Sequence, residues 1–395
     1  MLWPVASVLL NRDMTGSTQP PESISVIGAG IIGLACALEL AERGIMVSLY
    51  DSQWPPRGAS WAAAGMLAPA FEAAATPETH PDLYTLCLAS ARLWPIWAQR
   101  LEHGSDMPSG FRPGPSLAVA RNSAQAAHLD AIFEQLEGDD AAQRVSTSEL
   151  ARIEPAIRSE LISAVLLPSD GQVDNRLTMA ALIARACGHP NLKVIAAPAP
   201  LICHKGDLDH AGRAATLITA GWKSAQVEIE VAGEQRRLGE CAPVLDQIEA
   251  FGGQMLSLAP IPQGPSRPIR CGDLYIVPKH DRIIVGATTE PGRVLAAAEP
   301  KMIQRLHARA VEICPALAGA TIVDQWAGVR PGTADHAPIL GQVEDRNLFI
   351  ATGHYRNGIL LAPITAQIMA DLIVDGKMPD LARSFSPKAR AETRV

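Results

Sequence analysis

Ile24-Ser25-Val26-Ile27-Gly28-Ala29-Gly30-Ile31-Ile32-Gly33 is the stretch that decides the architecture of this 395-residue chain. Ile24, Val26 and Ile27 make a short apolar strand, and the glycine loop follows at once. Apolar residues then recur at helical spacing through Leu34, Leu38 and Leu40, until Gly44 supplies a stop. Val47-Ser48-Leu49-Tyr50 is a second strand and ends at Asp51. This strand–helix–strand unit has the length of a dinucleotide-binding fold. Gly28 allows the tight turn, Gly30 leaves room for a pyrophosphate, and Gly33 lets helix and strand pack closely. Ala29, Ile31 and Ile32 complete the loop, and the helix start offers N–H groups to phosphates. Asp51, with Ser52 beside it, stands where an acid bonds the adenosine ribose, which disfavours a 2′-phosphate. The motif by itself does not separate FAD from NAD.

Outward from this unit, helix is expected from Pro81 to about His103, then a Pro/Gly break at Pro108 to Pro115 and a strand at Leu117 to Ala120. Ala124 to Leu136 and Ser148 to Ile153 read as helices, Leu161 to Leu167 as strand, and Leu177 to Cys187 as an amphipathic helix. Short extended runs follow at Leu274 to Val277 and Ile283 to Gly286, then a helix from Pro300 to Cys314. Strand signals return at Leu348-Phe349-Ile350, and a helix closes the pattern from Ile359 to Val374. Interleaved elements of this kind imply two discontinuous domains.

Apolar residues make up 48% and charged residues 19%, enough for a large core and too apolar for global disorder. A net charge of -7 argues against general affinity for nucleic acid. The cysteines at 36, 87, 187, 203, 241, 271 and 314 lack the close spacing of a zinc or dithiol site, so no metal is expected and reduced thiols in the cytoplasm are the reading. Residues 1–22 read as a loose extension whose apolar opening is too short for a membrane span, and no other stretch reads as long and apolar enough. Self-association into a homo-oligomer stays open.

Two further segments bear on the cofactor. Arg57-Gly58-Ala59-Ser60-Trp61-Ala62-Ala63-Ala64-Gly65-Met66-Leu67-Ala68-Pro69 contains a run of small residues that lets backbone lie against a planar ring. Gly353-His354-Tyr355-Arg356-Asn357-Gly358-Ile359-Leu360-Leu361-Ala362-Pro363 puts two glycines around a polar turn directly before an apolar helix, whose N-terminal dipole would stabilise negative charge. Between them lies Trp326-Ala327-Gly328-Val329-Arg330-Pro331-Gly332-Thr333. A guanidinium at Arg330 or Arg356 can grip a planar carboxylate bidentately, as lysine cannot.

In these segments the chain resembles glycine oxidase of the D-amino-acid oxidase family, from about Ile24 to Val374 and patchily in the middle. The resemblance implies an α/β fold: a Rossmann-like FAD-binding domain (23–107, 163–250 and 328–384) and an α+β substrate domain with a mainly antiparallel sheet (108–162 and 251–327), then a tail at 385–395. It implies non-covalent FAD, since no cysteine follows Cys314 for attachment. The cofactor residues it implies are Gly28 to Gly33, Asp51, Ser52, Ala59, Ser60, Ala64, Gly65, Met66 and Gly353 to Leu360, with His354 bordering the flavin without an acid–base role. Arg330 becomes the carboxylate clamp, Arg356 its neighbour beside the flavin, and Tyr275 a pocket wall. The implied reaction is oxidation of a small amino acid by hydride transfer from its α-carbon to flavin N5. Imine hydrolysis then gives a 2-oxo acid and ammonia, and oxygen yields hydrogen peroxide. Within relatives this reaction feeds thiazole formation for thiamine.

The stretch from Ala196 to Gly252 departs from the family. Relatives carry there an apolar strand ending in an Ala-x-Gly-x-Trp-like turn; the counterpart read here is Val227 to Glu234, whose alternating Glu228 and Glu230 suit a half-exposed strand, and no Trp-Ser follows Gly233. Gly252 stands where relatives have an arginine, and Pro200, lacking an N–H, falls near the adenine contact. These differences imply a locally altered sheet, weaker FAD retention or an inactive copy. Two other readings therefore stay open: a D-amino-acid dehydrogenase or sarcosine-oxidase-like enzyme, and a catalytically silent flavoprotein or fusion fragment.

Overall fold

The computed structural model describes residues 20–73, 79–136, 142–158, 160–199, 202–204, 214–231, 234–343 and 347–392. Ser23–Ile27 lies inside a six-stranded sheet ordered Ile339–Gln342, Leu348–Thr352, Ala214–Ile218, Ser23–Ile27, Met46–Tyr50, Leu192–Ile195. All pairings are parallel except the edge hairpin of Ile339–Gln342 with Leu348–Thr352. A parallel sheet must be covered on its faces. Helix Gly358–Asp375 serves that purpose, packed against helices Ile31–Glu42 and Leu83–Ser105. Trp94, fully buried, donates its indole N–H to the Leu360 carbonyl at 2.9 Å, and the Ser90 hydroxyl donates to the same oxygen. Removing such a buried aromatic costs about 3–5 kcal/mol. By length and apolarity Gly358–Asp375 would also pass as a membrane span, which corrects the expectation that no stretch has that character. Its burial between the two other helices accounts for the apolarity.

The second sheet has nine strands and is antiparallel except where Ile269–Cys271 meets Ser116–Ala120. Side chains alternate across it with period two. One face, carrying Leu117, Ile269, Leu274, Ile276, Val285, Leu256 and Leu258, packs against Ile303, Leu306, Ala310 and Ile313 of helix Pro300–Ile313. On the other face, cross-strand partners line up as Ala118, Arg270, Tyr275, Gly286, Met255 and Trp326. That face bears the glycines and polar groups described below.

Sheet membership moves several expected boundaries. Ser163–Leu167 pairs with Ser116–Ala120 in the nine-stranded sheet, and Ile322–Gly332 runs there past residue 328. The expected division at 163–250 and 328–384 places both wholly or partly on the cofactor side, because an apolar strand carries no mark of which sheet it joins. The tail at 385–395 contains helix Pro387–Glu392 in its described part, where buried Arg390 pairs with Asp335. Val227 to Glu234 needs the largest correction. The strand beside Ser23–Ile27 is Ala214–Ile218, and the turn after it is Thr219-Ala220-Gly221-Trp222. Glu228–Val231 belongs to a separate three-stranded sheet, with Glu228 exposed and Ile229 buried. The expected altered sheet is therefore absent at that point. Pro200 lies outside the described residues.

Candidate active site

A cavity of about 670 Å³ runs between the two large sheets. Its mouth at the six-stranded sheet is built from the glycine loop. Gly28 has φ +105°, and a Cβ there would stand 2.6 Å from the Thr219 carbonyl oxygen. A Cβ on Gly33 would fall 1.8 Å from the Gly28 oxygen, so this residue serves packing and does not line the cavity. The side-chain direction of Gly30 is open to the cavity, meeting only the Ser60 hydroxyl at 3.3 Å. Ala29 is buried beneath the loop, and its N–H donates to Asp51 Oδ2 at 2.8 Å. Asp51 also accepts from the Gln53 N–H at 2.8 Å, and with Ser52 it borders the same space. A carboxylate has lone pairs beyond these two bonds for ribose hydroxyls.

Residues 57–66 form the next wall. Ser60 accepts a hydrogen bond from the Ile31 N–H at 2.9 Å, tying this loop to the start of the glycine-loop helix. Asn175 Nδ2 donates to the Ser60 and Trp61 carbonyls at 3.0 and 2.8 Å. Trp326 Nε1 donates to the Ala62 carbonyl at 2.9 Å, and Gly328 lets that loop approach so closely that a Cβ would lie 2.6 Å from Ala62 Cβ. Gly65 has φ +72°, and its carbonyl accepts from the Val173 N–H at 2.7 Å. Ala59, Ser60, Ala64, Gly65 and Met66 all line the cavity, leaving a smooth wall of small residues and backbone.

Behind Val173 sits Lys279, buried, whose ammonium donates to the Gln172 side chain at 2.9 Å and the Val173 carbonyl at 2.5 Å. Burial brings its pKa down to about 7 from the ordinary lysine range, against the pull of nearby Asp174. Asp174 accepts from Arg282 at 2.9 Å and from the Arg176 N–H at 3.0 Å, which caps helix Asn175–Gly188. The small-residue wall is thus braced from behind by a polar cluster.

The third wall is the turn into helix Gly358–Asp375. His354, Tyr355, Arg356, Asn357, Gly358 and Ile359 line the cavity; Gly353 and Leu360 do not. Gly353 has φ +79° and shapes the turn, while Leu360 faces the apolar helix layer. Burial lowers the His354 pKa to about 3, so its ring is neutral at physiological pH, and Nε2 lies 3.1 Å from the Thr365 hydroxyl. Tyr355, at φ +49°, stacks on His336 and donates its N–H to the Pro331 carbonyl at 2.7 Å.

At the far end the nine-stranded sheet presents Tyr275, Arg330 and, from the turn, Arg356. Space for them comes from absent side chains. A Cβ on Gly286 would be 2.6 Å from the Tyr275 hydroxyl, and one on Gly253 would be 2.5 Å from Arg330 Nη1. Arg330 donates to the Thr288 carbonyl at 3.3 Å, and Arg356 to the Thr289 hydroxyl at 2.9 Å. The Tyr275 hydroxyl reaches Met255 Sδ at 3.1 Å. Burial keeps the Tyr275 phenol above its ordinary range despite the guanidiniums of Arg330, Arg356 and Arg270, so it stays a neutral donor. The arrangement can hold a carboxylate beside a neutral phenol, with no ionised base among these groups.

Sequence reasoning did not single out Thr219, Asn175, Gly253, Gly286 or Arg270. Thr219 had a readable signal, since Ala-Gly-Trp follows it after an apolar run. The glycines and Arg270 become meaningful only when the strand register sets them on one face.

The wall of small residues and the open glycine loop suit a long, flat dinucleotide such as FAD. A family model described as FAD dependent oxidoreductase matches residues 23–372. The bifunctional protein ThiO/ThiG of a Synechocystis species is 34% identical over 383 residues, covering 94% of this chain and 54% of the relative, so the chain spans about half of that protein's length. Glycine oxidase of Geobacillus kaustophilus is 31% identical over 362 residues, covering 89% of this chain and 92% of the relative. The crystal structure of glycine oxidase from that species superposes with a TM-score of 0.81 at 30% identity, covering 96% of this chain and all of the other.

Proposed function

The chain belongs to the FAD dependent oxidoreductase family, and from that premise we propose that it oxidises glycine or a similarly small amine at the α-carbon. The observation that carries the reading is one continuous cavity with the glycine loop at one end and Arg330, Arg356 and Tyr275 at the other. FAD, when bound, supplies the two-electron acceptor. Gly28, Gly30, Ile31 and Ile32 would hold its pyrophosphate and Asp51 and Ser52 its ribose, while Ala29, buried with its N–H given to Asp51, does not reach the cavity. Ala59, Ser60, Ala64, Gly65 and Met66 on one side, and His354 to Ile359 on the other, would hold the ring system.

The protein's own contribution is positional. Arg330 grips the substrate carboxylate bidentately, with Arg356 adding positive charge nearby. Tyr275 donates its phenol hydrogen to the same group and stays protonated throughout. His354, neutral and bonded to Thr365, moves no proton. The amine enters deprotonated, so no enzyme base is needed, and orientation carries most of the rate. The product imine hydrolyses to a 2-oxo acid and ammonia, oxygen ends as hydrogen peroxide, and the reaction supplies thiazole formation for thiamine. The cofactor is held non-covalently. The two-domain division, with each large sheet as the centre of one domain, belongs to the same proposal. So does a cytoplasmic location, in keeping with thiols rather than disulfides at Cys36, Cys187, Cys241, Cys271 and Cys314.

The test is an Arg330→Ala variant. It is expected to retain stoichiometric, acid-releasable FAD while losing reduction of that FAD by glycine. Wild-type kinetics in this variant would overturn the assignment.

A further inference from the structure

Loop 291–298 also borders the cavity, placing Val294, Leu295 and Ala296 against it. It leaves the segment that holds both arginines of the substrate end: the Thr288 carbonyl and the Thr289 hydroxyl accept from Arg330 and Arg356, and Glu290 follows. Both ends of the loop are tied to Gln254, a fully buried residue of strand Glu249–Leu258. Gln254 Nε2 donates to Glu290 at 2.9 Å, and its Oε1 accepts from the Glu299 N–H at 2.6 Å. Arg293 closes the same gap from within, pairing with Glu290 and, at 2.7 Å, with Glu299. The Thr288 hydroxyl donates to Glu290 at 2.6 Å, and Gly292, at φ +71°, donates its N–H to the Ala250 carbonyl at 2.8 Å. Ends held together in this way make a compact loop of fixed shape.

Within the loop, Leu295 is half-buried while Val294 is 56% exposed. Its seat is Gly252, next in the chain to Gly253, which makes room for the Arg330 guanidinium. A Cβ on Gly252 would stand 2.8 Å from the Arg293 carbonyl oxygen, and 3.1 and 3.2 Å from Leu295 Cδ1 and Cγ. A side chain there would lift the loop, so glycine lets Leu295 settle at the substrate end. A flexible cover would yield to a bulky ligand, whereas a packed wall fixed at both ends excludes by volume. We propose that Leu295 sets the size limit of the substrate, barring amines with a branched or aromatic group on the α-carbon. Gly252 and Gln254 are the positioning residues that hold it there. This inference deepens the amine oxidase reading above and rests on it.

The experiment titrates the FAD-loaded protein with acetate and isovalerate, the des-amino forms of glycine and leucine, following perturbation of the flavin absorption spectrum. The wild type is expected to bind acetate about tenfold more tightly or better, the discrimination that a misfit of one methylene or more produces. Leu295→Ala should lower that ratio about tenfold, and Leu295→Val by less. Gly252→Ala removes nothing from the cavity wall, yet it should lower the ratio too, because its methyl displaces the loop at its base. Anaerobic flavin reduction by glycine and D-leucine should follow the same order, with the rate ratio falling from wild type to Leu295→Ala. Isovalerate binding as tightly as acetate in the wild type, or an unchanged ratio in Leu295→Ala, overturns the size limit and leaves glycine oxidation standing. An unchanged ratio in Gly252→Ala alone overturns only the seating. A ratio that moves as expected while neither amine reduces the flavin overturns the proposed function and leaves Leu295 as a ligand filter. If neither carboxylate binds, both fall.

Discussion

Gly253→Ala isolates the geometry of the carboxylate clamp from the stability of the fold. A Cβ at this position would lie 2.5 Å from Arg330 Nη1, 2.7 Å from Nη2 and 2.9 Å from Cζ. Ordinary contact begins near 3.4 Å, so the guanidinium must retreat by roughly 1 Å. It is the far end of a flexible side chain, and swinging it aside is cheaper than parting two strands of the nine-stranded sheet. Gly253 has no positive φ, so alanine fits the backbone and recovers about 0.5–1 kcal/mol of strand stability lost to glycine. A displacement of about 1 Å in a positioning group can lower a rate roughly a hundredfold, equivalent to about 2.7 kcal/mol in the barrier. Stopped-flow bleaching of the flavin by glycine under anaerobic conditions reads the rate, and a melting curve with flavin content reads the fold. The expected pair is a hundredfold slower reduction with an unchanged or slightly higher Tm and full FAD. A variant that reduces its flavin at the wild-type rate would refute the reasoning, because Arg330 would then have no need of the space above Gly253.

Gly33→Ala places a Cβ 1.8 Å from the Gly28 carbonyl oxygen, where only backbone can move, so loss of bound FAD and a Tm lower by the equivalent of about 1–3 kcal/mol are expected in a melt. Trp326→Phe leaves the Ala62 carbonyl without its indole donor at a cost of about 1–3 kcal/mol; the FAD dissociation constant should rise, and unchanged retention would count against the bracing of that loop. Lys279 gives a pH signature. Its folded pKa near 7 lies below the ordinary lysine value of 10.5, so the native state binds fewer protons than the unfolded chain between those limits. Stability should rise with pH across that window by at most about 1.4 kcal/mol per unit, and Lys279→Met should remove this slope from denaturant melts at pH 7 and 9. An identical slope in the variant would locate the effect elsewhere.

The glycine-loop unit was fully legible, because Ile24 to Asp51 folds through local turn chemistry that glycine and aspartate announce. The helices expected at Pro81 to His103, Leu177 to Cys187 and Pro300 to Cys314 stand at 83–105, 175–188 and 300–313. Ala214–Ile218 was missed in favour of Val227 to Glu234, since two short apolar runs about ten residues apart compete equally until pairing partners are known. Leu161 to Leu167 reads as a strand and falls mostly within the 163–250 cofactor segment, yet Ser163–Leu167 pairs with Ser116–Ala120, for a strand's own residues do not name its neighbour. The site shows the same division. Arg330 and Arg356 stand inside distinctive motifs, whereas Gly253 and Gly286 sit in unremarkable runs and reach the site only through strand register.

Trp326, Gly328 and Arg330 are alternate residues of one extended strand, the first bonded to the loop at Ala62 and the last turned toward the substrate end. The distance between cofactor brace and carboxylate anchor is thereby counted in pairs of residues rather than set by a hinge. Deleting or inserting a single amino acid between 326 and 330 would rotate Arg330 to the reverse side of the strand, off the face it shares with Trp326 and Gly328. Divergence in ligand preference along this lineage must therefore proceed by exchanging side chains or reshaping loops, never by altering the length of this span.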